Sequence, residues 1–142
     1  MAKRWLSMTI PSDKGAGHHA KELILQDVTA NGFNHQSAWA VNLALEEAIA
    51  NAIKHGNRHD PGKSIHIVWT VTPRRIEIII EDQGTGFDRV RVPDPRKQEN
   101  LEKCSGRGIF LIESYMNKVE WTNGGRRLRM IRMNDLSGPH PA

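Results

Sequence analysis

The chain has 142 residues, 38% hydrophobic and 25% charged, with one cysteine, a net charge of +4 and a pI near 9.5. That is the length and make-up of one ordinary globular domain, and a lone cysteine excludes an intrachain disulfide framework or a cysteine-based zinc cluster. No run approaches the roughly 20 apolar residues of a membrane helix, and 6% aromatics among scattered cations argue against a base-stacking platform for nucleic acid.

In chain order, Arg4–Ile10 (RWLSMTI) is bulky and β-branched and stops at Pro11, which predicts a strand placed at an edge or swapped onto a partner. The N-terminal stretch has no signal-peptide core, so the expected location is cytoplasmic. Pro11-Ser12-Asp13 predicts a turn and N-cap, followed by a helix to about Ala30 that Gly15 and Gly17 weaken in its first turns and Asn31-Gly32 stops.

A second helix is expected from about Asn34–Ser37 to His55-Gly56-Asn57. Apolar residues at Val41, Leu45, Ala48, Ile49, Ala52 and Ile53 form its buried stripe. Glu47, Asn51 and His55 follow one another at intervals of four, so a carboxylate, an amide and an imidazole share a face. Taken alone, such a face is equally a solvated one.

Ser64–Val71 and Arg75–Asp82 alternate and predict an antiparallel hairpin, with Ile65, Ile67, Trp69 and Val71 on one side of the first and Ile76, Ile78 and Ile80 on one side of the second. Phe87–Ser105 is polar, holds two prolines and at most a short helix over Lys97–Lys103. A loop of that length in a compact domain is functional or mobile. From Gly106 a helix is expected, then strands over Val119–Thr122 and Arg126–Met133 joined by Asn123-Gly124-Gly125.

Two constellations carry chemistry. Asp82 shares strand parity with Ile76, Ile78 and Ile80, so its carboxylate points to the covered face, where it must accept hydrogen bonds. Either the donor is neighbouring backbone, or Asp82 lies past the strand end, or the donor is a ligand's exocyclic amine that Gly84 and Gly86 allow to approach. Gly106-Arg107-Gly108 opens a helix, where backbone N–H groups bind anions and Arg107 adds charge; the alternative is a hinge with a solvated arginine. No Walker sequence and no dinucleotide fingerprint is present. His55 and His59 are split by Gly56-Asn57 and have no third metal ligand, Cys104 has no motif around it, and His18-His19 read as exposed.

Together, E-x-x-x-N on a helix, D-x-G-x-G after a strand and G-x-G before a helix, with a long loop between the last two, resemble the GHKL ATP-binding superfamily of gyrase, Hsp90, MutL and histidine-kinase catalytic domains. EEAIANAIKHGN and SGRGIFLIESYMNKVEW are similar to the bacterial anti-sigma-factor serine kinases of the partner-switching type, and the likeness runs from the first strand to about Met133. The resemblance implies a two-layer α/β sandwich: a mixed, mostly antiparallel sheet with helices on one face and ATP between helices and a lid. It implies one domain over 1–134 and a frayed tail over 135–142.

Carried over by position, Glu47 is the general base and Asn51 the Mg²⁺ ligand that bridges to the triphosphate. Lys54 and His55 contact phosphate or ribose. Asp82 accepts from the adenine amine beside Gly84 and Gly86. Gly106, Arg107 and Gly108, with the adjoining Ile109, close the lid end against the phosphates. One position departs: the family usually follows its late-strand glycine with threonine, whereas Gly125 is followed by Arg126 and Arg127, with Thr122 nearby.

The implied activity is that of an ATP- and Mg²⁺-dependent protein serine kinase that holds a sigma factor inactive and phosphorylates a STAS-type anti-anti-sigma partner. A homodimer is compatible with it; nucleic acid and membrane are not expected partners. The competing readings are a nucleotide-regulated binding module without transfer, a stand-alone ATPase, and a histidine-kinase fragment. The last is weakened because no room for a dimerising phospho-acceptor domain is expected and neither His18 nor His19 precedes an acidic residue.

Overall fold

The computed structural model describes residues 4–84 and 104–135. In chain order these form β1 (Leu6–Pro11), α1 (Lys14–Ala30), α2 (His35–Asn51) running into a π-turn (Ala52–Gly56), β2 (Ser64–Val71), β3 (Arg75–Glu81), α3 (Cys104–Tyr115), β4 (Lys118–Thr122) and β5 (Arg127–Met133). The strands make one five-stranded sheet in the order β1-β2-β3-β5-β4. Among the described residues each ladder is antiparallel, in line with the mostly antiparallel sheet expected.

The predicted alternation builds the core. Register aligns Ile67 with Ile80 and Trp69 with Ile78, and Ile78 with Met130, so their side chains share one face. They join Ile24, Val28, Leu45, Ala48, Ile49 and Ile112 of the three helices in a single apolar cluster. Fully burying side chains of this size stabilises by about 1.5–3 kcal/mol each before entropy is set against it. The opposite sheet face mixes charged residues such as Glu77 and Arg129 with Val68, Ile79 and Ile131. On it Glu77 is only 5% exposed; burial pushes its carboxyl up, but hydrogen bonds from Arg129 (2.6 Å) and Arg75 (2.9 Å) outweigh this and hold it below the usual range. Among the described residues no helix is long and apolar enough to cross a membrane.

Several boundaries differ from expectation. β1 starts two residues later and ends on Pro11, paired only with β2. An edge strand tolerates proline because its outward side needs no N–H. Gly17 does not weaken α1 so much as let it reach α2: a Cβ there would lie 2.7 Å from Ile49 Cγ2. β5 begins at Arg127, after a turn in which Asn123, Gly124 and Gly125 all have positive φ.

The chain is tied at the residue where the expected tail begins. Asn34 caps α2 by accepting from Ser37 N–H at 2.8 Å, and its own N–H donates to Asn134 Oδ1 at 3.0 Å. Its side-chain amide donates to the Asp135 carbonyl, and Asp135 N–H donates to Ser37 Oγ at 2.8 Å. Residues 136–142 lie outside the described residues. Asn34→Ala removes the cap and this tie together, so it should cost about 1–2 kcal/mol. In thermal unfolding the midpoint should fall by about 3–10 °C, while Gln36→Ala, exposed on the same turn, should leave it within a degree or two.

Candidate nucleotide and phosphoryl-transfer site

The candidate residues lie at two contacts along one helix: α3 against α2, and the end of β3 against the π-turn. Glu47 and Asn51 stand one turn apart on α2, and α3 lies directly over them. A Cβ on Gly108 would sit 3.0 Å from Glu47 Oε2 and 3.3 Å from both terminal atoms of the Asn51 amide. A larger residue there would have to push the Glu47 and Asn51 side-chain ends aside by a few tenths of an ångström. The Asn51 amide nitrogen is buried and has no hydrogen-bond partner among the described residues, which is costly unless a ligand supplies one.

The G-x-G segment does not precede α3, as expected, but lies inside it, because the helix already starts at Cys104. Packing on α2 overrides the low helix propensity of glycine here. Gly106 falls in the first turn, where N–H groups lack intrahelical partners. Arg107 is exposed, and Ile109 is buried at 1% exposure.

On its other side Glu47 borders an open groove of about 320 Å³ between α1 and α2, whose lining includes Lys14, Lys21, Glu46, Glu47 and Lys54. The carboxylate is therefore reachable from outside the cleft. The contribution of α1 had no signal in the motifs.

The expected four-residue alignment of Glu47, Asn51 and His55 does not continue regularly past Asn51. The Asn57 N–H reaches back five residues to the Ala52 carbonyl at 2.8 Å, so the helix widens into a π-turn. Lys54 and His55 lie on it, both exposed. His55 is held below its ordinary value by partial burial, then by the charges of Lys54 and His59. Its ring makes no hydrogen bond to Glu47 or Asn51 among the described residues.

Asp82 lies one residue past β3 and faces the helical layer, as its parity predicts. Its N–H donates to the Arg126 carbonyl at 3.0 Å, and its Oδ1 accepts from Gly84 N–H at 2.8 Å. Neighbouring backbone thus takes one oxygen, and Asp82 lies past the strand end. Burial pushes the carboxyl above its ordinary value, against the Gly84 hydrogen bond and the Arg126 charge that pull it down.

Two glycines crowd this end. A Cβ on Gly56 would fall 2.3 Å from Asp82 Oδ2, and one on Gly84 would fall 1.9 Å from the Gly56 carbonyl oxygen. Gly84 is expected here from the D-x-G-x-G motif; Gly56 reads in the sequence only as a helix stop, and its pairing with Asp82 depends on the π-turn. Gly86 and residues 87–103 of the loop expected over Phe87–Ser105 lie outside the described residues, and Cys104 and Ser105 of that expected loop belong to α3.

Similarity to known proteins agrees with this arrangement. The histidine kinase-like ATPase domain family matches residues 16–132. The chain is 33% identical over 98 residues to a serine-protein kinase RsbW of Oceanobacillus iheyensis, covering 65% of this chain and 62% of that protein. It is 34% identical over 83 residues to an anti-sigma F factor of the same organism, covering 56% of each. The chain therefore spans about three fifths of the length of the curated relatives it matches. Among solved structures, that of the RsbU and RsbW domains of Rv1364c from Mycobacterium tuberculosis superposes with a TM-score of 0.60 at 14% identity, over 92% of this chain and 31% of that one, a likeness of fold. With the family match spanning most of the chain, the chain belongs to the histidine kinase-like ATPase domain family.

Proposed function

We propose that the chain is an ATP-dependent protein serine kinase of the partner-switching kind, which binds a sigma factor and transfers phosphate to a serine of a STAS-type anti-anti-sigma protein. The observation that carries this reading is Glu47. It stands one turn from Asn51 under the start of α3, yet borders an open groove where a protein hydroxyl can arrive. The relatives named serine-protein kinase RsbW and anti-sigma F factor support it.

The residues fit ATP and Mg²⁺. Asp82, flanked by Gly56 and Gly84, presents a carboxylate at a surface no wider than backbone, suited to the adenine amine. Asn51 supplies an oxygen for Mg²⁺, an ion that takes few protein ligands beside water and phosphate. Bound there, the ion would offset the charge of the transferring phosphoryl group. Glu47 takes the proton from the serine hydroxyl at its carboxylate as that oxygen attacks. Gly106 and Arg107 offer N–H groups and a guanidinium to the phosphates.

The adenine assignment has a direct test in calorimetric titration with Mg·ATP. Asp82→Asn keeps the shape but can turn a donor toward the amine, and a hydrogen bond to a charged group is worth about 1.5–3 kcal/mol, so affinity should fall by about tenfold or more. The pH dependence has a defined sign. The acceptor is the carboxylate, and burial raises its pKa, so ATP affinity should begin to fall on acidification above the ordinary aspartate range. Stability moves the other way: the group's contribution is present below its unfolded pKa and lost as pH rises through the folded one. Asp82→Asn should flatten the affinity profile in that window. Equal affinity in both proteins, or the same slope, would remove Asp82 from the site.

A further inference from the structure

Among the described residues, Asn57 is the only polar side chain of the largest fully buried ones, at 0% exposure, and although it ends the EEAIANAIKHGN stretch it has no role in the chemistry above. It sits immediately after the π-turn. Its amide nitrogen donates to Ser12 Oγ at 2.7 Å and to the Ser64 carbonyl at 2.9 Å. Its oxygen accepts the Gln83 backbone N–H at 2.8 Å. Gln83 answers from outside: its side-chain oxygen accepts the Ser64 N–H at 2.7 Å. Ser12 Oγ in turn donates to the Lys63 carbonyl at 2.9 Å.

The sequence position of Gln83 makes this more than core hydrogen bonding. It is the residue between Asp82 and Gly84, whose own bond closes the turn that aims the carboxylate. Beyond its strand, Asp82 has one ladder-like tie, to Arg126. The turn therefore takes its position from two directions: Arg126 on β5's side, and Asn57 with Ser64 on the other. Asn57 also fixes the end of the segment that carries Gly56, the residue against which the carboxylate packs. One buried amide thus sets the spacing between the carboxylate and the wall it faces.

We infer that Asn57, clamped with Gln83, is a positioning residue for adenine recognition: it holds the Asp82–Gly84 turn so that the Asp82 carboxylate meets the purine 6-amino group. This rests on the nucleotide reading of the site. Asn57 itself touches no nucleotide. Its loss should act on discrimination between bases rather than on the grip at the phosphate end, which Asn51 and α3 supply from a different part of the cleft.

The readout is the ratio of affinities for ATP and for purine riboside triphosphate, which lacks the 6-amino group, measured calorimetrically with Mg²⁺ on the full chain. A general loss of stability lowers both affinities and leaves the ratio alone. Asp82→Asn should collapse the ratio by about tenfold, and Asn57→Ala should lower it severalfold in the same direction. Asn57→Asp keeps the oxygen that holds Gln83 N–H, and should restore most of the ratio although it loses both donor bonds. Ser12→Ala should lower the melting midpoint and leave the ratio at the parent value. Should Asn57→Ala fail to fold, Gln83→Ala decides: its side chain is exposed, and cutting its tie to Ser64 should lower the ratio about threefold. A parent-like ratio in folded Asn57→Ala, or in Gln83→Ala where the first does not fold, overturns the clamp. A parent-like ratio in Asp82→Asn overturns the adenine assignment beneath it, so the two failures are told apart.

Discussion

Glu47→Ala is expected to lower phosphoryl transfer to a STAS partner by about 10²–10⁴-fold in single-turnover assays, while Mg·ATP binding changes little. The two effects separate because Glu47 lies on the groove side of Asn51, in reach of an incoming hydroxyl but not needed to hold the ion. Asn51→Ala should impair binding and transfer together. Glu46 is the internal control: it is exposed and turned about 100° around the helix from Glu47, so Glu46→Ala should keep transfer within severalfold of the parent. Transfer by Glu47→Ala at the parent rate would deny the base its role. Parent protein that binds ATP but transfers to no partner would favour the nucleotide-regulated binding module.

Gly84→Ala should be the most damaging single methyl in the described structure. The added carbon would lie 1.9 Å from the Gly56 carbonyl oxygen and 2.5 Å from its carbon. Both are backbone atoms of a turn locked by Asn57, so no side-chain rotation relieves the overlap. Forced overpacking costs about 1–3 kcal/mol or more, which corresponds to a fall of about 5–15 °C in the melting midpoint. ATP binding should be lost beyond what stability accounts for, since the shift opens the Asp82–Gly56 contact. Gly32→Ala makes the contrast: its φ of +80° strains alanine, but nothing lies within 4 Å, so a modest loss of stability with normal ATP affinity is expected. A Gly84→Ala protein that melts and binds like the parent would mean the turn is not packed against Gly56.

The layers of the fold were legible because period-two alternation in β2 and β3 and the apolar stripe of α2 each report a buried face directly. Asp82's inward direction followed from the same parity, and the proximity of Glu47 to Asn51 from helical spacing. The rest depended on contacts between segments far apart in the chain. Gly17 reads as a helix weakener until Ile49 is known to lie against it. Gly106 and Gly108 read as a helix preface because propensity cannot see α2 beneath them. Gly56 and Asn57 read as a stop signal, since nothing in AIKHGN distinguishes a π-turn from an ordinary helix end. Asp135 reads as tail because its partners, Asn34 and Ser37, are nearly a hundred residues earlier.

The π-turn also makes residue count part of the site's specification. A turn closed from residue i to i+5 holds one residue more than the α-turn it interrupts, the local signature of a single-residue insertion in a helix. Deleting any one residue from Ala52–Gly56 would leave Glu47, Asn51, Asp82 and Gly84 all present and their motifs intact on inspection. It would nonetheless let the segment close as an ordinary α-turn and remove the widened turn that carries Gly56 against Asp82. For this chain, then, indels between Asn51 and Ser64 weigh as heavily as substitutions within the motifs. Grafting the E-x-x-x-N helix of a relative into it would keep the cleft only where the graft preserves that extra residue.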